Sequence, residues 1–358
     1  MPRPRILVVG AGAIGGITAA LMQECGLSVA VLAPDRPESL RLRSPGLLVE
    51  RRGRSSLVEL DAFRRTDEIP GHFDFCLLTV KATVLDDVLS PLVERGGIDT
   101  FVSLGNGLVQ DQLSAIVGRD RVIAASVEWG ATNLGAGHVR QTSENPVTIG
   151  ELDGSIKERT RLLAAALGAA SEVVISTNIH GKLWSKLLLN SALSAISVVG
   201  GCDCATALNA PDGTLALRLL WREGYELARR QEIELEPILG LDPGAPAAPN
   251  RDIWQAAVAT LITKSGPTRA SMLQDIERGR ETEVDVINGA VVEQGRRFGL
   301  PAPHNACVVD LVHGFERGEL KPSTALFGRL VTAGSEYHAS PAETQDLQLQ
   351  TESNQASA

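Results

Sequence analysis

Short apolar runs alternate with helix-like stretches along the first half of the chain. The first run covers residues 6–9, and later runs cover residues 28–33, 73–80, 100–104, 122–127 and 172–176. Each run has the length of a buried strand, and the sequence between runs has the spacing of an amphipathic helix. This alternation predicts an α/β fold in which a doubly wound parallel sheet occupies residues 1–176.

The pattern changes after residue 176. From residue 177 to residue 334, long helical periodicities replace the strand signals, so we expect a separate, all-helical domain there. Residues 236–250 interrupt these helices with four prolines and predict a loop, which is either a lid over a binding site or a surface excursion. Residues 335–358 are polar and lack periodicity, which predicts a disordered tail.

Three glycines follow the first apolar run at the spacing GxGxxG, and a helical pattern starts among them. A strand, such a turn and a helix in this order are typical of a dinucleotide-binding site. Gly10 would make the tight turn, Gly12 would let the main chain approach a pyrophosphate, and Gly15 would let helix and strand pack closely. We therefore expect the cofactor phosphates to bind at Gly10, Ala11, Gly12, Ala13, Ile14 and Gly15. The alternative is a glycine-rich turn in an ordinary α/β protein.

The residues after the second apolar run bear on which dinucleotide binds. In an NAD-selective site an acidic residue ends that strand and binds the ribose hydroxyls, but Ala33 occupies the position here. Arg36, followed by Arg41 and Arg43, supplies positive charge for the 2′-phosphate of NADP. A small shift of the loop would let Asp35 take the NAD role. The sequence favours NADP(H) and leaves NAD open.

The composition of the 358 residues argues against several classes of partner. A net charge of −9 disfavours nucleic acid, because phosphate backbones are bound by clustered Lys and Arg. No run of about eighteen uncharged apolar residues is present, and the first residues do not resemble a cleavable signal. We therefore expect a cytoplasmic protein without membrane contact. The oligomeric state stays open, with a homodimer as one option.

The five cysteines are scattered, which predicts reduced thiols and not a disulfide framework. Cys202 and Cys204 are close together, but no second Cys or His pair stands at ligand spacing. We therefore expect no metal, and a small molecule as the main partner.

Two polar residues stand where a ligand would meet the predicted sheet. Lys81 follows the run 73–80, and Asn106 follows the run 100–104. Ligands of open α/β sheets bind beyond the carboxyl ends of the strands, so both positions point to the reactive end of a cofactor. The alternatives are a surface lysine and an Asn-Gly turn.

In the second half of the chain, Lys182, Lys186 and Asn190 are spaced four residues apart and share one face of a predicted helix. A partly buried ammonium beside a like charge loses its proton more readily, which suits a proton donor near neutral pH. Residues 271–285 offer a hydroxyl and several carboxylates that could bind substrate and orient a lysine. In both segments the alternative is a solvated helix surface.

Taken in order, these segments resemble the ketopantoate reductase (2-dehydropantoate 2-reductase) family over residues 5–330. The resemblance rests on GAGAIGG from Gly10, TVKA around Lys81, GNG at Asn106, KLWSKLLLN around Lys186, and SMLQDIERGRETEVDVING from Ser271, followed by Pro301 and Asn305. It implies an N-terminal Rossmann domain, a helical second domain, a substrate cleft between them, and NADPH-dependent reduction of a 2-keto acid.

The resemblance also implies roles for individual residues. Lys186 matches the catalytic lysine, which protonates the carbonyl oxygen as hydride arrives from the nicotinamide. Glu283 matches the acid that contacts both the cofactor and that lysine. Asn190 and Ser271 match substrate-binding positions. Lys81 and Asn106 match positions at the nicotinamide end of the cofactor, and Ala131 matches another cofactor contact.

Three positions depart from the family pattern. A second substrate-site asparagine, one helical turn after Asn190, is replaced by Ser194, and a further one by Cys204 if no gap intervenes. The usual arginine at the end of the second strand is replaced by Pro34, with Arg36 two residues on. Lost amide groups would change the substrate, because sites built to hydrogen-bond a ligand discriminate strongly. Two other functions therefore stay open: a dehydrogenase of another 2-keto or 2-hydroxy acid, and a non-catalytic NADP-binding sensor.

Overall fold

The computed structural model describes residues 3–33, 41–135 and 137–334. These residues form two compact units. The first contains the described residues up to Leu187 together with Ile233–Gly240, and the second contains the rest from Leu188 onward. The predicted domain boundary after residue 176 remains a prediction. The tail predicted for residues 335–358 lies outside the described residues.

The first unit is built on an eight-stranded sheet and a smaller four-stranded sheet. The strands, in chain order, are β1 (Arg5–Val9), β2 (Ser28–Leu32), β3 (Leu47–Arg51), β4 (Arg54–Val58), β5 (Asp61–Phe63), β6 (Phe73–Leu78), β7 (Ile98–Ser103), β8 (Val122–Val127), β9 (Ala131–Gly135), β10 (His138–Gln141), β11 (Val147–Glu151) and β12 (Val173–Ile175). The large sheet has the order β12-β11-β8-β7-β6-β1-β2-β5, and the small sheet has the order β4-β3-β10-β9.

From β5 across to β8, every neighbouring pair in the large sheet is parallel. The predicted doubly wound α/β fold is confirmed. The strand predicted over residues 172–176 nevertheless differs in direction, since β11 is antiparallel to β8 and β12 follows β11. Only the β9–β10 hairpin separates β8 from β11, and without a helical crossover the chain returns antiparallel.

The helices of the first unit are α1 (Ala13–Glu24), α2 (Leu85–Arg95), α3 (Gln110–Val117), α4 (Glu158–Leu167) and most of α5 (Ile179–Leu189). Helix α1 is buried from Gly15 to Met22. The four-stranded sheet contacts it, with Leu47, Val49 and Val139 in the same core cluster as Ile17. The sequence reasoning missed this sheet, because its strands carry polar residues and no clear alternation.

The second unit is all-helical over the described residues, as predicted. A π turn (Asn190–Ser194) continues from α5 and is followed by α6 (Ala195–Gly200), α7 (Cys204–Asn209), α8 (Gly213–Arg230), α9 (Arg251–Ser265), α10 (Ser271–Glu277), α11 (Val284–Phe298), α12 (Pro303–Glu316) and α13 (Phe327–Thr332). The loop predicted over residues 236–250 contains one short 3₁₀ turn, Ala245–Ala247, which includes Pro246.

One stretch of helix, Ile179–Gly200, is long and apolar enough to cross a membrane by length and composition. Of the 18-residue part of this stretch that was compared with a membrane span, 72% is buried inside the protein. Burial of this kind is typical of the core helix of a globular protein, so the stretch is weak evidence for a membrane span.

A buried carboxylate holds the beginning of α12. Glu223 on α8 accepts hydrogen bonds from the main-chain N–H groups of His304 and Asn305 at 2.8 and 3.0 Å, and from Asn305 Nδ2 at 2.7 Å. The Glu223 side chain is only 10% exposed. Burial raises the pKa of Glu223 to about 7, although these donors act in the opposite direction.

This raised pKa predicts how the stability of the protein depends on pH. In the unfolded chain a glutamate titrates near pH ~4.3, so between that value and about 7 the folded state holds one proton more. The free energy of unfolding should therefore fall as pH rises through this window, by up to about 3 kcal/mol from this residue. A glutamine side chain cannot ionise, so in Glu223→Gln the free energy of unfolding should not decline over this pH window.

Denaturant unfolding at several values from pH 5 to pH 8 measures the effect. Glu293→Gln is the matched control, because Glu293 lies in the same unit but its side chain is 58% exposed. The control should follow the wild type, and a Glu223→Gln curve parallel to both would contradict the prediction.

Candidate active site

The glycine turn between β1 and α1 is a close-packed cradle. Gly10 has a φ of +97°, which favours glycine, and its N–H donates to the Leu32 carbonyl at 2.9 Å. A Cβ at Gly15 would lie 2.1 Å from both the Gly10 carbonyl oxygen and Thr79 Oγ1. A Cβ at Gly12 would meet nothing within 4 Å. Gly15 is therefore required by packing, whereas Gly12 faces open space that a ligand can enter.

Thr79 fastens this turn to the neighbouring strand. Its hydroxyl lies 2.9 Å from the Val9 carbonyl and 2.7 Å from the Gly10 carbonyl, to which it donates. The sequence reasoning quoted Thr79 only as part of the motif around Lys81. Its role depends on the pairing of β1 with β6, which no local pattern reveals.

The cradle fits the pyrophosphate of a dinucleotide. Gly12 is the N-cap of α1 and has no side chain to cap the helix. The unpaired N–H groups of the first turn and the positive end of the helix dipole are therefore available to an anion. Ala11, Ala13 and Ile14 around it are only partly buried, in contrast to the buried residues that follow.

Two glycine variants separate packing from ligand approach. Gly15→Ala should lower both thermal stability and NADPH affinity, because its methyl group overlaps main-chain and Thr79 atoms. Gly12→Ala should keep the melting temperature of the wild type but weaken NADPH binding about tenfold or more, since the methyl group keeps the phosphate away from the main chain. Thermal unfolding and cofactor fluorescence titration test both. Unchanged NADPH affinity in Gly12→Ala would place the phosphate elsewhere.

The topology brings further predicted cofactor residues to the same edge of the sheet. Strands β1, β6, β7 and β8 are consecutive neighbours and parallel. Gly10, Lys81, Asn106 and Ala131 follow the carboxyl ends of these four strands in turn. Lys81, Asn106 and Ala131 are all partly exposed. A small apolar cavity at the carboxyl ends of β6 and β7 is lined by Leu78, Val80, Ala82, Leu85, Ser103, Gly105, Val109 and Leu113.

The region expected to bind the 2′-phosphate is described only in part. Arg36 and Asp35 lie outside the described residues. Arg43 stacks over the Phe63 ring at 5.2 Å and lies 3.9 Å from the Asp61 carboxylate. These contacts tie Arg43 to β5, the strand beside β2.

The two lysines of α5 have different surroundings. Lys182 Nζ lies 2.7 Å from Glu128 Oε1 and donates to the Pro237 carbonyl at 2.6 Å. The side chains of this ion pair are 9% and 4% exposed, whereas Lys186 is partly exposed. The buried carboxylate compensates the charge of Lys182, so the like-charge crowding expected from the sequence is largely offset.

The same ion pair secures a segment that returns from the second half of the chain. Within Ile233–Gly240, the Leu239 N–H donates to Glu128 Oε2 at 3.4 Å, and Glu236 Oε1 accepts from Ser176 Oγ at 2.6 Å. A Cβ at Gly181 would lie 1.9 Å from the Glu234 carbonyl, so helix and segment are in close contact. The first part of the predicted proline-rich loop is therefore held against α5.

In the second unit, the predicted site residues lie on the π turn and at the beginnings of two helices that contact it. Asn190 begins this turn and Ser194 ends it, and both are partly exposed. Ser271 is the exposed first residue of α10, and Glu283 is the N-cap of α11 and only 7% exposed. Helices α10 and α11 both contact the π turn.

The two departures at predicted asparagine positions are not equivalent. Cys204, at the beginning of α7, is 3% exposed. Burial raises the pKa of its thiol to about 12, so it stays neutral. Ser194 is partly exposed. Of the two, only Ser194 is placed where a substrate could reach it without rearrangement.

The glycine cradle and the residues at the carboxyl edge of the sheet define a nicotinamide-dinucleotide-dependent oxidoreductase of the Rossmann type. The model of the family described as "Ketopantoate reductase PanE/ApbA" matches residues 6–154, and its C-terminal model matches residues 178–316. The chain therefore belongs to the ketopantoate reductase family, whose members are NADP-dependent oxidoreductases acting on CH–OH groups. The predicted family, enzyme class and NADP(H) cofactor are confirmed at this level.

Individual relatives agree with this assignment. A 2-dehydropantoate 2-reductase from Archaeoglobus fulgidus is 28% identical over 319 residues, which cover 88% of this chain and 98% of the relative. The crystal structure of a PanE/ApbA family ketopantoate reductase from Ralstonia eutropha matches with a TM-score of 0.75 at 25% identity, covering 88% and 99% of the two chains. A D-mandelate dehydrogenase solved with NADH and anilino(oxo)acetate shares the fold with a TM-score of 0.78 at 21% identity, with the same coverage.

Proposed function

We propose that this protein reduces a 2-keto acid to the 2-hydroxy acid with NADPH, in the cytoplasm. The first substrate to test is 2-dehydropantoate (ketopantoate), which would place the reaction in pantothenate biosynthesis. The observation that carries this proposal is the contrast on α5: Lys182 is buried in an ion pair, whereas Lys186, one turn later, is partly exposed and leads directly to Asn190.

The chemistry requires a proton donor at the substrate. When bound, NADPH supplies the hydride. Addition of hydride to a ketone places negative charge on the oxygen, and an ammonium within hydrogen-bond reach stabilises that charge most strongly in the transition state. We assign this role to Lys186, whose Nζ would give its proton to the carbonyl oxygen.

The remaining assignments follow the family positions. Glu283 would orient Lys186, and Asn190, Ser194 and Ser271 would bind the polar groups of the substrate. The cofactor would be held by Gly10, Ala11, Gly12, Ala13, Ile14, Gly15, Arg36, Lys81, Asn106, Ala131 and Glu283. The packing of α10 and α11 on the π turn supports the substrate assignments, because it gathers three of these residues on neighbouring elements of the second unit.

The two lysines of α5 make a matched pair of variants. Lys186→Ala should lower kcat by about 10²–10⁴-fold, because it removes the general acid, with thermal stability and NADPH affinity close to the wild type. Lys182→Ala should instead lower stability by about 3 kcal/mol or more, because it leaves the Glu128 carboxylate buried and unpaired.

Steady-state kinetics, thermal unfolding and cofactor titration of both variants test this assignment. The kcat of folded Lys182→Ala should stay within about tenfold of the wild type. Equal kcat in Lys186→Ala and the wild type would remove Lys186 from the mechanism, and a larger kcat loss in Lys182→Ala would exchange the two roles.

A second candidate function is reduction of a different 2-keto acid, such as an aromatic one. Ser194 favours it, since the family position otherwise carries an asparagine amide. The fold neighbour named D-mandelate dehydrogenase points in the same direction, because mandelate is an aromatic 2-hydroxy acid.

A spectrophotometric screen of 2-keto acids, run with NADPH and NADH, decides between these substrates. If Ser194 has altered the specificity, Ser194→Asn should raise kcat/KM for ketopantoate, relative to the preferred acid, by about tenfold or more, because it returns a hydrogen-bonding amide to this position. Ser194→Ala is the matched control and should not raise kcat/KM for ketopantoate. A wild-type preference for ketopantoate would end the second candidate, whereas NADPH binding without turnover of any acid would support the sensor alternative.

A further inference from the structure

The π turn that carries Asn190 and Ser194 is an irregularity in an otherwise continuous run of helix. Its inner residues Ser191, Ala192 and Leu193 are 0, 0 and 4% exposed. π turns are rare, and they occur frequently at functional sites because the extra residue redirects side chains. A helix with such a turn needs support from its surroundings to keep that geometry.

This support comes from a buried asparagine on α11. Asn288 Nδ2 donates to the Ser191 main-chain carbonyl at 2.8 Å, and also to Asn305 Oδ1 at 2.8 Å. Both asparagines are fully buried. Asn288 and Ser191 are 97 residues apart in the chain, so the contact exists only in the folded unit.

The orientation of both amides is determined by acceptors at the two ends of this network. Asn305 Nδ2 donates to Glu223 Oε2 at 2.7 Å and to the Leu220 carbonyl at 3.2 Å. With its NH₂ group directed to these acceptors, Asn305 presents only its Oδ1 to Asn288. The NH₂ group of Asn288 must then face Asn305 and Ser191, because a reversed amide would set oxygen against oxygen.

The network is not optimal for stability alone. Within the described part of the chain, Asn288 Oδ1 is buried and accepts no hydrogen bond. A buried acceptor without a hydrogen-bond partner destabilises the folded protein. Apolar side chains of the same shape would avoid this cost. The buried amide at position 288 therefore points to a role in geometry.

We propose that Asn288 is a positioning residue for substrate binding, oriented by Asn305 and Glu223. By holding the Ser191 carbonyl, it keeps the π turn in the form that presents Asn190 and Ser194 on one side. This inference rests on the proposed function for what those two residues bind. The holding of the π turn itself is independent of that function.

Asn288→Leu and Asn288→Ala test the inference. Leucine has a similar volume but cannot donate a hydrogen bond. Alanine leaves a cavity in which water can donate to the Ser191 carbonyl oxygen and to Asn305 Oδ1. We therefore expect at least one of the two variants to fold. Trp221→Phe is the matched control. It removes a buried donor of the same unit, since Trp221 Nε1 donates to the Pro243 carbonyl at 2.8 Å, and this bond is not one of those that hold the π turn.

Two readouts are needed. Hydrogen exchange of the ligand-free protein, followed in the peptide covering residues 188–200, should be faster in the Asn288 variants and unchanged in Trp221→Phe. With ketopantoate, or the acid that the screen selects, KM should rise tenfold or more in the Asn288 variants. Their kcat should stay within threefold, and NADPH affinity should not change. Thermal unfolding shows whether the control is destabilised to a similar extent.

Unchanged exchange and unchanged KM in the folded Asn288 variants would overturn the inference, as would equal effects in Trp221→Phe. If the wild type turns over no 2-keto acid, the proposed function fails. The exchange experiment then still decides whether Asn288 holds the π turn.

Discussion

The parallel pairing of β1, β6, β7 and β8 is the constraint on which the cofactor site depends. Main-chain hydrogen bonds hold these strands side by side, so their carboxyl ends meet at one edge. The residues that follow them, from the glycine cradle to Ala131, are therefore close in space although more than a hundred positions separate the first from the last. Thr79 adds a side-chain clamp between β6 and the cradle.

Charge compensation gives α5 its chemical asymmetry. Two ammonium groups one helical turn apart would repel each other if both were left uncompensated. The Glu128 carboxylate and the Pro237 carbonyl oxygen both bind the ammonium group of Lys182. This buried contact also holds the segment Ile233–Gly240 in place. Lys182 is therefore buried in an ion pair, whereas Lys186, one turn later, is partly exposed.

The second unit contains an irregular helix that is held by buried polar groups. An apolar core could pack around the π turn, but it could not hold a particular main-chain carbonyl in place. The amides of Asn288 and Asn305 can, because hydrogen bonds are directional. Their dependence on the buried Glu223 carboxylate connects the geometry of this turn with the capping of α12. Ser194, where the family resemblance implies an asparagine, ends this turn and is partly exposed.

The spacing of glycines and the alternation of apolar runs are local signals. They were sufficient for the β1–α1 cradle, for the location of Lys81 and Asn106 just after two strands, and for a helical second half. The direction of β12, the four-stranded sheet and the role of Thr79 were not accessible in this way. Each depends on which strands become neighbours. The roles of Arg36, Lys186 and Glu283 remain predictions from family positions.

The sequence by itself determined the fold class and the family, because short motifs and periodicities carry both, whereas the binding positions for a cofactor and a 2-keto acid remain predictions. The tertiary structure decided that Lys182 is paired with a buried carboxylate and how the π turn is held. The physical reason is the distance along the chain: Glu128 meets Lys182, and Asn288 meets Ser191 across 97 residues, only after folding has removed water from between them.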